Sequence, residues 1–454
     1  MIQPPIDNTN RLSPMPTETL DERGSLTVLA LLSLLAGAAS GLIGALFRWA
    51  LQQADQWRDA LITWTHGNNL FSSRFLGCIL VMALAAAACW LAAWLVRRFA
   101  PDATGSGIPH VEAVLNDKLP PAPYILLPVK FVGGLLAIGA GLALGREGPT
   151  VQMGASIAHL VGHLFRRNAA DARILLAAGA GAGLATAFNA PIAGSVFVLE
   201  ELMRRFDTRI TIATLGASAA AISVSRLILG VAPDFSVAPL SYPTLESLPL
   251  FLVLGICLGL LGVGYNVAIV GALAAADRLR SIRVEVRAAA VGAAVGLLAW
   301  FVPEWVGGGD NITQRTLNGE VLLATLPVVF ALRFVLGAAS YSAGTPGGLF
   351  APLLVLGAQS GLFFGTLANN WLPSAAISPT AFAVTGMAAF FTAVVRAPVT
   401  GIILVIELTS SDSQLLSMIA ACFTAMLIPT LVGNPPIYDS LGRNGQAHAG
   451  VDAD

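Results

Sequence analysis

Three short stretches of this 454-residue chain share one form: Gly105-Ser106-Gly107-Ile108-Pro109, Gly145-Arg146-Glu147-Gly148-Pro149 and Gly347-Gly348-Leu349-Phe350-Ala351-Pro352. Glycine lets backbone approach a ligand closely, and proline suits the first helical position. Each stretch is expected to open a helix whose first N–H groups lack partners and lie at the positive end of the helix dipole. Such ends hold anions. A fixed lysine or arginine would hold a small dehydrated anion too tightly for passage, which needs release. Backbone amides and neutral hydroxyls, such as that of Ser106, are better suited. Three turns of this form predict helix N-termini converging on one anion.

Glu147 adds a second kind of chemistry. Its carboxylate is itself an anion at a helix N-terminus, so it can occupy a place built for another anion. Once protonated it loses that attraction and can swing away. Proton uptake and anion passage then compete for one place. The alternative is a simple acidic cap, but carboxylates inside a membrane are functional by default. Glu201 is as readily a solvated helix-end carboxylate as a proton relay, because it follows an apolar run and precedes Arg204 and Arg205. Ser106 alone could be an ordinary turn serine, and Tyr438 alone an interfacial aromatic. Lys130, inside an apolar run, either raises the local potential for anions or snorkels to an interface.

The elements that must position these residues are set by composition. The chain is 56% hydrophobic and 11% charged, against about 25% charged in soluble domains. Apolar runs recur from Leu26 to Leu431, several long enough to cross hydrocarbon. Others are short, and glycine and proline crowd residues 101–149. Broken helices survive in a membrane only inside protein or beside a watery cavity, and they point to a transport site near mid-membrane. The glycines at 179, 181 and 183 fit close helix packing better than a nucleotide loop, since no strand precedes them. The four cysteines read as small buried hydrophobes.

An internal repeat organises these pieces. Ala190-Pro191…Gly194…Glu200 matches Ala397-Pro398…Gly401…Glu407 at an offset of 207, and Gly145…Pro149…Gly154 matches Gly348…Pro352…Gly357 at 203. Two halves, 25–230 and 231–440, are expected to pack together, between a polar N-terminal tail (1–24) and a C-terminal tail (441–454). Glu200 and Glu407 read as structural. The basic clusters at 97–98, 166–167, 204–205 and 278–287 belong mostly on the cytoplasmic side by the positive-inside rule.

The three glycine motifs, the Ala190-Pro191-Ile192-Ala193-Gly194…Glu200-Glu201 stretch and the late Pro436-Ile437-Tyr438 together resemble the CLC family of chloride channels and chloride/proton antiporters, most closely the bacterial antiporters. The resemblance runs from about Ser25 to Leu441. It implies an all-α polytopic membrane protein, with tilted and broken helices in two inverted-repeat halves, forming a homodimer with one anion pathway per subunit in a bacterial inner membrane. It implies that Ser106 and Tyr438 are inner hydroxyls touching the central chloride, joined by the amides of Leu349 and Phe350. Gly107, Ile108, Arg146 and Gly148 complete the candidate anion-binding set. Glu147 would be the external gating glutamate and Glu201 the internal proton-transfer glutamate. The implied function is exchange of chloride for protons, with a passive chloride channel as the alternative. Fluoride-exporting relatives depart from the first motif, and nitrate preference accompanies proline at the Ser106 position.

The expected partners are chloride, protons and lipid, with no cofactor. A net charge of −1 offers no basic surface for nucleic acid. His159 and His163 have metal-ligand spacing, but Leu160 stands where a zinc protease would carry glutamate. No P-loop and no nucleophile–base pair is evident, so an enzyme is not expected. The 16 residues after Tyr438 are too few for cytoplasmic nucleotide-sensing (CBS) domains.

Overall fold

A computed structural model describes residues 20–67, 74–371 and 378–443. Most of both expected tails therefore lies outside the described residues. The first half holds α1 (Leu20–Gly67), α2 (Arg74–Phe99), α3 (Ile108–Leu115), α4 (Leu126–Gly139), α5 (Glu147–Leu164), α6 (Ala169–Phe188), α7 (Pro191–Phe197) and α8 (Thr208–Leu229). The second holds α9 (Leu248–Arg278), α10 (Val284–Phe301), α11 (Asp310–Leu317), α12 (Leu326–Tyr341), α13 (Phe350–Trp371), α14 (Pro379–Val395), α15 (Pro398–Thr409) and α16 (Leu415–Leu431). Among the described residues there is no strand, and seven helices are long and apolar enough to span a membrane.

Two helices differ from the sequence expectation. α1 starts at Leu20, inside the stretch expected as a tail. α11, Asp-Asn-Ile-Thr-Gln-Arg-Thr-Leu, is too polar to register as an apolar run. The motif prolines sit at the second position of α3 and the third of α5 and α13, rather than the first. A missing N–H costs nothing there, because none of the first helical N–H groups has an intrahelical acceptor.

The halves correspond helix for helix. α5 crosses α6 where Gly154 meets Gly179, and α13 crosses α14 where Gly357 meets Gly386. A methyl on any of these four glycines would lie 2.2–2.4 Å from a carbonyl oxygen of the facing helix. Contact this close needs residues without side chains. The equivalents run in opposite directions, as α7 and α15 make plain. Glu200, just past α7, accepts from the amides of Val399 and Thr400 (3.0 and 2.7 Å) at the start of α15. Glu407, near the end of α15, accepts from the amides of Ile192 and Ala193 (3.0 and 2.7 Å) at the start of α7. Each glutamate caps the other half's helix, which fixes the two as an antiparallel pair and the halves as inverted.

Candidate anion site and its two carboxylates

Backbone bonds stitch the three glycine motifs together. Gly145 and Gly348 donate to each other's carbonyls (2.8 and 2.7 Å), which sets the start of α5 against the start of α13. Gly105 donates to Thr345 (3.1 Å) and accepts from Gly347 (3.0 Å), which adds the turn before α3. These links are possible because the motifs carry almost no side chain at the crossing.

Glu147 folds back into the cradle so formed. Its side chain is wholly buried. The Phe350 amide donates to its Oε1 at 2.6 Å, while Oε2 has no hydrogen-bond partner. A methyl on Gly145 or Gly348 would lie 2.0 or 2.1 Å from the carboxylate oxygens. A negative group thus occupies the point at which two helix N-termini aim.

Ser106 lies against the next residue, Gly148, where a methyl would be 2.7 Å from Oγ. The Ile108 amide is 3.5 Å from that Oγ. Gly107 caps α3 at φ +80°, and a methyl there would strike the Gln152 side chain at 2.2 Å. Tyr438 is wholly buried, its ring centroid 6.1 Å from that of Phe350. Its hydroxyl faces Ser106 without completing a hydrogen bond. Leu349, also buried, begins the α13 turn by accepting from Leu353 at 3.0 Å. Residues 106–108, 147–148, 349–350 and 438 therefore lie together.

Arg146 is placed differently. Its guanidinium turns toward an outer vestibule of about 670 Å³ and is fully engaged there. It donates to the Ala187 carbonyl (2.8 Å), Asp234 (2.7 Å) and Asp310 (2.9 Å). A second vestibule, of about 490 Å³, reaches Gly105, Gly107 and Tyr341 from the opposite side and carries Arg97 and Arg287. By the positive-inside rule that side is the inner one.

Glu201 lies on a short π-helical turn, Val198–Leu202, and is 4% exposed, so it is not a solvated helix-end carboxylate. Its Oε1 lacks a hydrogen-bond partner, and the Arg204 guanidinium is 3.8 Å away. Arg204 is turned to Asp439 (2.9 Å) and Glu112 (3.3 Å). A cavity of about 330 Å³ reaches Glu200, Glu201, Arg204 and Asp439. Tyr438, the neighbour of Asp439, lies within electrostatic reach of both Glu147 and Glu201.

Lys130 does not snorkel. Its ammonium is fully buried and donates to the carbonyls of Ala103 (3.0 Å) and Gly105 (2.8 Å), which pins the turn carrying Ser106. Arg333 does the same for the turn before α11, donating to Gly307 (2.8 Å) and Gly308 (3.2 Å). The sequence reading passed over Arg333, although 333 − 130 = 203 repeats an offset already in hand. It also passed over Tyr341, whose hydroxyl accepts from the Ser106 amide at 3.4 Å, and over Asp234 and Asp310. Nothing local marks these three.

Comparisons agree with this architecture. The family model described as voltage gated chloride channel matches residues 88–430. The H(+)/Cl(-) exchange transporter ClcA of Vibrio cholerae is 39% identical over 416 residues, 90% of this chain and 88% of that one. The protein of the same name from Salmonella arizonae is 36% identical over 421 residues, 91% of this chain and 88% of that one. Among solved structures, a slow cyanobacterial Cl-/H+ antiporter superposes with a TM-score of 0.88 at 35% identity, covering 92% of this chain and 98% of that one. A CLC-type fluoride/proton antiporter gives 0.75 at 25% identity, covering 93% and 99%. With its inverted halves, its meeting helix N-termini and these likenesses, the chain belongs to the voltage-gated chloride channel family, the CLC family of membrane transport proteins.

Proposed function

We propose that the protein exchanges chloride for protons across a bacterial inner membrane, with Glu147 as the outer gate. The observation that carries this is the Glu147 carboxylate seated in a cradle of amides and glycines, where a halide would otherwise sit. Ser106, Tyr438 and the amides of Ile108, Leu349 and Phe350 hold the central chloride. Glu201, buried beside an inner cavity, passes protons toward Glu147 past Tyr438. Exchangers named in the comparisons share the family, and Glu201 supplies the inner protonatable group that coupling needs. Chloride is the substrate rather than fluoride, because the Gly-Ser-Gly-Ile-Pro turn is intact.

The protein acts as a homodimer. Apolar side chains exposed on α7, α8, α15 and α16, among them Ile192, Leu215, Val399, Ile419 and Phe423, support a lipid-side interface between two copies.

The test is chloride-driven proton pumping in proteoliposomes. Wild-type protein moves protons uphill against a chloride gradient. Glu147→Ala keeps chloride flux and loses the pumping; undiminished pumping by that variant refutes the gate. A reversal potential set by chloride alone, indifferent to a pH gradient, identifies a passive channel instead.

A further inference from the structure

The outer vestibule holds a group of charges that the exchange cycle as stated does not use. Asp234 lies in the linker between the halves, with only 5% of its side chain exposed. One of its oxygens pairs with Arg48 of α1, and the other accepts from Arg146 at 2.7 Å. Asp310, the other partner of Arg146, is 51% exposed. Exposed pairs contribute little, whereas removing one member of a buried pair strands a charge. Asp234 is therefore the partner that fixes the Arg146 guanidinium. The count of charge is also balanced: two arginines face two aspartates, one residue away from Glu147.

From this geometry we infer that Asp234 is a positioning residue for exchange, holding Arg146 off the anion path and neutralising it beside the gate. The inference rests on Glu147 being the gate. Without Asp234, two guanidinium groups face the outer mouth with one exposed carboxylate between them. The ionised form of Glu147 is then favoured, and a freed arginine binds anions too firmly to release them. The other groups facing Glu147 are unchanged by this: Tyr341 and Tyr438 on the inner side, and the amides of the α13 start. Asp55 stands next beyond Arg146 in the vestibule, already paired with Arg58 at 2.6 Å.

The test uses full-length protein in liposomes, with chloride flux measured across a range of symmetric pH. Asp234→Asn moves the activity profile toward acid, by roughly half a unit to one unit, and lowers the chloride concentration for half-maximal flux together with the maximal rate. Arg48→Gln removes a positive charge from the same bridge and moves the profile toward alkali. Opposite displacements separate positioning from loosened packing, which displaces both variants alike. Both displacements vanish in a Glu147→Ala background. Displacement in one direction by both variants, no displacement, or persistence of either without Glu147 overturns the inference. If Asp234→Asn does not fold, Arg48→Gln is read against Arg48→Lys, which keeps the charge while disturbing the same packing: an alkaline displacement by Arg48→Gln alone supports the inference, and equal displacement by both overturns it. Failure of the gate itself is read separately, from proton pumping by Glu147→Ala with Asp234 intact.

Discussion

Replacing Gly348 with alanine perturbs the cradle without removing a titratable group. The added methyl would lie 2.1 Å from Oε1 and 2.7 Å from Cδ of Glu147, and 2.8 Å from the Gly148 amide nitrogen. Non-bonded heavy atoms rest about 3.5–4.0 Å apart, so something must retreat by roughly an ångström or more. The Gly148 amide is backbone, next to the Gly145–Gly348 bridge, and cannot yield cheaply. The Glu147 side chain can. Gly348 is not among the glycines with positive φ, so alanine brings no backbone strain of its own. Retreat of the carboxylate breaks the 2.6 Å bond from Phe350. A hydrogen bond to a charged group contributes about 1.5–3 kcal/mol, and each 1.4 kcal/mol is about tenfold. The seated population of Glu147 should therefore fall roughly 10- to 150-fold. Protons moved per chloride, measured in proteoliposomes, should fall at least about tenfold. Chloride flux should persist at a reduced rate, because the same methyl narrows the anion cradle. Gly271→Ala, at a glycine with nothing within 4 Å, is the matched control. Unaltered stoichiometry in folded Gly348→Ala protein would mean that the carboxylate does not use this cradle during transport.

Three further outcomes are expected. Glu201→Val should stop proton movement while chloride still passes, since Glu201 is the buried carboxylate on the inner cavity proposed to relay protons; proton transport at the wild-type rate would break the relay assignment. Ser106→Pro removes both the hydroxyl and the amide bonded to Tyr341 and should raise nitrate relative to chloride in reversal-potential measurements; an unaltered ratio counts against Ser106 as a ligand. Glu407→Ala removes two caps of α7 and should cost about 1–3 kcal/mol, seen as a lower thermal unfolding midpoint in detergent. Glu200→Ala should cost more, because the Thr400 hydroxyl adds a third bond at 2.7 Å. Equal midpoints for wild type and both variants would refute the reciprocal caps.

Much of this was legible in the sequence, for reasons that differ by element. The apolar runs near 174–188, 210–229, 248–275 and 381–395 became α6, α8, α9 and α14, because burial in lipid or protein imposes the same composition along a whole helix. The glycine motifs were legible because close backbone approach admits almost no other residue. α11 was not, since a polar helix at a vestibule carries no apolar signature. Neither was the direction of Arg146. A long cation has many rotamers, and its partners, Asp234 and Asp310, arrive from the linker and the other half, 88 and 164 residues away. Lys130 was ambiguous for the same reason. Its carbonyl partners lie in a turn whose path only the packed fold defines.

The repeat explains why the site is shared between halves yet not symmetric. The offset of 203 maps Lys130 onto Arg333 and the Gly145 turn onto Gly348, so the two turns of the cradle are equivalents, and each half also pins the turn before α3 or α11 with a buried cation. The same offset maps Glu147 onto Phe350. At that pair the halves diverge: one supplies a carboxylate and the other the bare amide that receives it. A second carboxylate at 350 would put two like charges in one dehydrated pocket, at a cost neither could offset. An apolar residue at both positions would leave the proposed anion path with nothing to compete for it. Inversion aims two equivalent helix N-termini at one point, and a single broken correspondence places a carboxylate there; in the proposed exchange, that is what lets a proton decide whether an anion can rest.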